Sequence, residues 1–391
     1  MTAGLAPTYR AGTHRLVSPE ATLARLQPHL AGFGITRLAD VTRLDADLGL
    51  PVYMAIRPRG AVLQSSAGKG MTVAAAKVSA LMESIELDVA ERPDPARMRR
   101  ASRTELLAAG LRTDGLPEWV KDAGRYLSDE YRINWVEATD LLNGGSVWLP
   151  AGAAYFCEPS PCRTNTNGLA SGNHLIEATL HGLYEVIERD AVARLVVDQR
   201  ISIAGNCLVV DPASVRDPLL APVIATIERT ETKVVLLQLQ SGLAVPTYWA
   251  LLLNRRPFAS ISTLNAGFGA HLDHGVALSR ALSEAVQSRL TAIHGSREDI
   301  VTRPAYARQA TTAPEVDQSP AYRFFDALVP TAGAVESTYT GAFPEALATL
   351  LSLVQSHGHE RVYRVDLGCP TAGISVVKLV IPSLRFEGAM I

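Results

Sequence analysis

The sequence predicts an α+β fold. Three observations predict it. Long helical segments occupy about 72–91, 174–197 and 275–294. Single strands and one hairpin are scattered between them. No regular alternation of strand and helix runs through the chain, as a parallel βαβ array would require.

The elements follow in order. SPEATLARLQPHLAGFG, 18–34, opens on Ser18 and Pro19 and closes at a glycine, which marks a helix at both ends. PVYMAIRP, 51–58, reads as a short strand and QSSAGKG, 64–70, as a small polar loop. An Ala-rich helix without Gly or Pro then runs from about Thr72 to about Glu91. Residues 101–110 form a short helix. WVEATDLLNGGSVWLPA, 135–151, is a hairpin turning at Asn143-Gly144-Gly145. TNTNGLASGN, 164–173, reads as a second polar loop before a helix from about His174 to about Val197. Strand patterns fill 232–253, with KVVLLQLQ and PTYWALLL, and 258–264. A third long helix at 275–294, a helix at 343–356 and strands at 361–366 and 374–381 complete the chain. No clean linker appears. The expected division is an N-terminal segment, 1–60, and one main domain, 61–391.

Bulk properties narrow the function. The 391 residues are 47% apolar and 19% charged, with a formal net charge of -2. That is a globular composition with no global basic field for nucleic acid or membrane. No apolar run reaches the ~18–20 residues of a membrane span. The first twenty residues lack the apolar stretch of a signal peptide, so a cytoplasmic location is expected. Cys157, Cys162, Cys207 and Cys369 are expected to be free thiols, and Cys157 and Cys162 have no matching pair for zinc. GKG at 68–70 does not satisfy the P-loop pattern. GFGAH at 267–271 reads as a turn, and neither HExxH nor GxSxG occurs. His271 and His274, flanking Asp273, read as loop or cap residues.

Chemistry concentrates on helix faces. Ser79, Glu83 and Glu86 are spaced by four and three, so they share one face. On the next helix Glu177 and Glu188 project about 20° apart, and Glu185 lies within about 80° of Glu177. Arg189 is one step further round. Apolar Leu180, Leu183, Val186 and Ile187 flank these carboxylates. Carboxylates crowded near a core repel one another and are costly to desolvate, and a bound cation offsets both. A solvated acidic face with pairs such as Glu185–Arg189 is the competing reading. Each acidic helix follows a Gly-rich polar stretch whose N–H groups can face phosphate. Together these features favour Mg2+ carried with ATP, because Mg2+ takes carboxylates plus substrate phosphates. On the third long helix Arg280, Glu284 and Gln287 share a face and Arg289 falls off it. An Arg280–Glu284 surface pair is the plain expectation there.

Three segments resemble the YcaO family: GKGMTVAAAKVSALMESIE at 68–86, NGLASGNHLIEATLHGLYEVIERDA at 167–191 and GFGAHLDHGVALSRALSEAVQSR at 267–289. The resemblance implies a YcaO-like fold, with helices on mixed or antiparallel sheets around a central ATP site. It implies ATP-dependent activation of a peptide backbone amide, with ATP and Mg2+ as cofactors. Glu83, Glu86, Glu185 and Glu188 look like the magnesium ligands. Ser79, Asn173, Glu177, Arg189 and Arg289 look like nucleotide contacts, with Arg189 and Glu188 in the catalytic step. THRLVSPEATLARL is a fainter match that aligns Arg15 and Thr22, seven apart, with nucleotide contacts from the 1–60 segment. The implied partner is a precursor peptide. A separate protein for leader binding or sulfur delivery, and a homodimer, are held open. The chain ends IPSLRFEGAMI, with Pro382 alone in place of a PxPxP tail, and no fused leader-binding domain is seen. Thioamidation or standalone cyclisation is therefore expected ahead of partner-dependent azoline formation. An ATP-binding accessory protein without catalysis is the alternative, and a purely structural acidic helical protein is the third reading.

Overall fold

The computed structural model describes residues 5–45, 47–120, 127–162, 164–197, 200–240, 242–255, 264–295, 320–337, 339–369 and 373–386. The chain forms two compact units. One comprises Met1–Ala6, Ile85–Ala193 and Gly341–Met390; the other comprises Pro7–Ser84 and Arg194–Thr340.

The unit of Pro7–Ser84 and Arg194–Thr340 holds two antiparallel sheets. The first is ordered β1-β2-β3, from Arg37–Asp40, Val52–Ile56 and Ser65–Lys69. The second is ordered β10-β11-β12-β13, from Cys207–Val210, Thr232–Leu239, Thr247–Asn254 and Leu264–Ala270. Helix α6, His274–His294, packs on both sheets, and its Leu278, Leu282 and Val286 join Met54, Leu236 and Leu252 in one core. Helix α5, Leu220–Arg229, closes that core with Ile224 and Ile227. Helices α1 (Pro19–Leu26) and α7 (Pro320–Asp326) and the short β8–β9 ribbon, Val196–Val197 and Arg200–Ile201, complete the unit.

The other unit is built on a six-stranded sheet, order β4-β5-β14-β15-β7 with β6 also on β5. Its strands are Met98–Ala101, Ile133–Asp140, Tyr363–Asp366, Ser375–Val380, Leu169–Gly172 and, for β6, Ser146–Pro150. Every ladder in it is antiparallel. Helix α4, Leu175–Ala193, lies on β7 and β15, and α8, Phe343–Ser356, packs on α4. Helix α3, Arg103–Ala108, starts with a capping box in which Ser102 and Glu105 bond each other's backbone N–H. Helix α2, Val73–Glu91, runs from one unit into the other.

The α+β expectation holds, and the long helices fall where periodicity placed them. The first helix is shorter than expected. It is α-helical over Pro19–Leu26 and continues as 3-10 turns over Gln27–Phe33 to a left-handed Gly34. The hairpin turns at Gly144 and Gly145, both at positive φ. Three stretches read as loops or turns are strands: β3 in QSSAGKG, β7 in NGLASGN and β13 in LNAGFGA. The expected strand at 258–264 lies outside the described residues except for Leu264.

Candidate functional site

Among the described residues, the Ile85–Ala193 segment buries the carboxylates Glu86, Glu177 and Glu188. Helix α4 begins after His174, whose Nδ1 accepts from Ile176 N at 3.2 Å. Glu177 and Glu188 on it are each 2% exposed, although both are carboxylates. Glu177 Oε1 accepts from the backbone N–H of Asn173 at 3.2 Å and from its Nδ2 at 3.4 Å. The structure therefore brings together two of the predicted nucleotide contacts. Asp190 Oδ1 accepts from Arg385 N at 2.9 Å and ties the 381–386 stretch to the end of α4. Glu185 and Arg189 are half-buried on the same helix.

Glu86, on the part of α2 belonging to this unit, is 9% exposed, and its Oε1 accepts from Ser171 Oγ at 2.5 Å. Lys378 of β15 is fully buried. Its Nζ donates to Asn165 O at 2.5 Å and to Asn165 Oδ1 at 3.2 Å. Burial pushes its ammonium down to about 7 against the opposing pull of the Glu185 carboxylate. Neither Ser171 nor Lys378 was among the sequence candidates. Ser171 lay in a segment read as a loop, and Lys378 matters only through its tertiary neighbours.

Among the described residues, no three His, Cys, Asp or Glu side chains are drawn together as a preformed metal centre. The oxygen-only donors of α2 and α4 nonetheless fit Mg2+, which keeps waters, uses one or two carboxylates and completes its shell with phosphate oxygens. Their burial fits as well, since a dication lowers the energy of carboxylates held away from water.

In the Pro7–Ser84 and Arg194–Thr340 unit, Ser79 and Glu83 are half-buried on the first part of α2. Arg15 sits in a small antiparallel bridge with Tyr9. Thr22 is 1% exposed on α1, and its hydroxyl donates to Ser18 O at 3.0 Å. Arg289 is 3% exposed, and its Nε donates to Asp45 Oδ2 at 2.6 Å. Glu284 pairs with Lys69 at 2.5 Å, and Gln287 Nε2 donates to Ala67 O at 3.2 Å. That face of α6 therefore rests on β3, with Arg280 and Glu284 half-buried instead of on the open surface.

The start of α6 lines a cavity of about 410 Å³ with Arg10, His14, Asp217, Asp273, Ser279 and Tyr339. Asp273 caps the helix through Oδ1 to Val276 N, 3.0 Å, and His271 Nδ1 accepts from Asp273 N at 2.9 Å. Of the two histidines read as loop or cap residues, His271 lies in the loop and His274 is the first residue of the helix, while Asp273 supplies the cap. Burial, first among the causes, lowers the pKa of His14 and His274 and takes His271 well below the usual value. All four cysteines are free thiols, and burial raises those of Cys157 and Cys207. No helix among the described residues is long and apolar enough to cross a membrane.

Residues 67–385 match the family model of the YcaO cyclodehydratase, ATP- and Mg2+-binding. An uncharacterised protein of Mycobacterium tuberculosis is 34% identical over 397 residues, covering 97% of this chain and 84% of that protein. The fold is similar to YcaO from Methanopyrus kandleri bound with AMPPCP and Mg2+, with TM-score 0.76, 23% identity, and coverage of 97% of this chain and 95% of that one. It is similar also to a heterocyclase in complex with substrate and cofactor, with TM-score 0.77 and 22% identity. The match covers 98% of this chain and 55% of the heterocyclase.

Proposed function

Because the chain belongs to the YcaO family of ATP- and Mg2+-binding proteins, we propose that it activates a backbone amide of a ribosomally made peptide by transferring the γ-phosphoryl group of ATP to the amide oxygen. The observation that carries this reading is the buried acid group of Glu86, Glu177 and Glu188, at 9%, 2% and 2% exposure, within the matched segment. A buried carboxylate is kept ionised by hydrogen bonds, by a paired charge or by a bound cation, and a cation is the reading that the matched family supports.

Glu83, Glu86, Glu185 and Glu188 are proposed as metal ligands. Ser79, Asn173, Glu177 and Arg189 are proposed nucleotide contacts, with Arg15 and Thr22 from the 1–60 segment and Arg289 from α6. Residues 61–391 carry the rest of the catalytic machinery. Mg2+ supplies charge neutralisation at the phosphoryl group. Arg189 adds a guanidinium against the same charge. A nucleophile adds to the amide carbonyl, the resulting oxyanion takes the phosphoryl group, and phosphate departs carrying the former amide oxygen. A Cys, Ser or Thr side chain of the peptide gives an azoline, external sulfide a thioamide and an amine an amidine. A separate protein that presents the peptide or delivers sulfur is the proposed partner.

The test uses a precursor peptide encoded beside the gene and labelled with oxygen-18 at candidate amides. The label is expected in released phosphate, with ATP hydrolysis rising when the peptide is added. Hydrolysis indifferent to every such peptide, with unlabelled phosphate, overturns the reading in favour of an ATP-binding accessory role.

A further inference from the structure

Ser171 lies on β7, 3% exposed, and its hydroxyl donates to Glu86 Oε1 at 2.5 Å. Strand alternation explains its aim. A Cβ on Gly172 would sit 2.6 Å from Ala178 N, so α4 closes that side of the strand. The neighbouring residue, Ser171, faces the opposite side. Two residues on, Asn173 holds Glu177 Oε1 through its backbone N–H and Nδ2. The run 171–173 thus presents donors to carboxylates from two helices.

We propose that Ser171 is a positioning residue for Glu86, fixing the plane of the carboxylate that would hold Mg2+. The proposal rests on the Mg-ATP reading above. A donor on Oε1 stabilises the ionised carboxylate and removes rotamers that turn it away. Without this donor the metal has to supply more of the ordering of Glu86, at the expense of affinity.

The experiment is a calorimetric Mg2+ titration of the full chain at fixed, saturating AMPPCP, with wild type, Ser171→Ala and Ser171→Thr. Loss of the hydroxyl is expected to raise the Mg2+ midpoint about 10- to 100-fold, the usual scale for partners of metal-ligating groups. Ser171→Thr, which keeps the donor, is expected to stay near wild type. Ser171→Cys, a similar volume with a weak donor, should fall between, and it replaces the alanine variant if that one does not fold. A midpoint for Ser171→Ala within two-fold of wild type overturns the role of Ser171 alone. If wild type itself binds AMPPCP without any Mg2+ dependence, the metal reading falls and this role falls with it.

Discussion

Arg289 shows how one side chain can serve packing and binding at once. Its guanidinium is 3% exposed and is paired with Asp45 through both Nε and Nη2. An arginine held in this way is preorganised, and its partner Asp45 keeps 27% of its side chain exposed. Arg289→Leu is therefore expected to destabilise its unit by about 1–3 kcal/mol, less than the cost of breaking a fully buried pair, read as a fall in urea midpoint. Asp45→Asn keeps a hydrogen-bond acceptor and should cost less. Arg289→Lys separates the roles: a phosphate contact predicts a raised KM for ATP in this folded variant, because a point charge replaces a fork. Glu188 is a carboxylate, 2% exposed, on the same helix as Glu177 and Glu185. Glu188→Ala is expected to abolish Mg2+-dependent ATP turnover in a chain that still unfolds cooperatively. Near-normal turnover would remove it from the ligand set.

At the scale of elements, one device recurs. Three strands, β3, β7 and β13, are each followed by a long helix that folds back onto them. A Cβ on Gly68 would lie 2.0 Å from Ala80 N, one on Gly172 2.6 Å from Ala178 N, and one on Gly267 2.2 Å from Ala285 N. Helix backbone and strand backbone thus meet with no side chain between them. Gly267→Ala must push α6 away from β13, and it is expected to cost about 1–3 kcal/mol or more as overpacking. Gly110→Ala, where nothing lies within 4 Å but φ is +73°, should show only the smaller backbone penalty. The urea midpoints of the two variants give the comparison. The same device explains what the sequence concealed. Helices α2, α4, α6 and α8 were legible because period and caps are local properties. The three strands were not, because Ser and Gly signal turns when read locally and here serve a close approach decided by tertiary packing. The acidic faces of α2 and α4 could be found by counting threes and fours. Ser171 and Lys378 could not, since their roles depend on the β7–β15 register, Leu169 opposite Lys378 and Ser171 opposite Val376.

At the scale of the whole molecule, acid sensitivity should be uneven. His14, His271 and His274 all belong to the unit of Pro7–Ser84 and Arg194–Thr340, and burial is the first cause of lowered pKa in each. Arg10, Arg15 and Arg280 add to the lowering at His14 or His271, while Asp273 opposes it at His14 and His274. The sign follows from linkage. Below the unfolded value of 6.5 the unfolded chain binds protons that these folded imidazoles refuse, so stability present above that pH is lost as pH falls. Each histidine that titrates only on unfolding contributes a slope of about 1.4 kcal/mol per pH unit. His271, 7% exposed and the most strongly shifted in direction, should dominate. His271→Asn keeps a side-chain acceptor for Asp273 N and removes the titration. Its urea midpoint is expected to fall less than that of wild type between pH 7.0 and 5.5. Hydrogen exchange should locate the wild-type loss in β12 and α6, with β5 and β15 less affected. Parallel pH curves for the two proteins would show that the cost of acid lies elsewhere in the molecule.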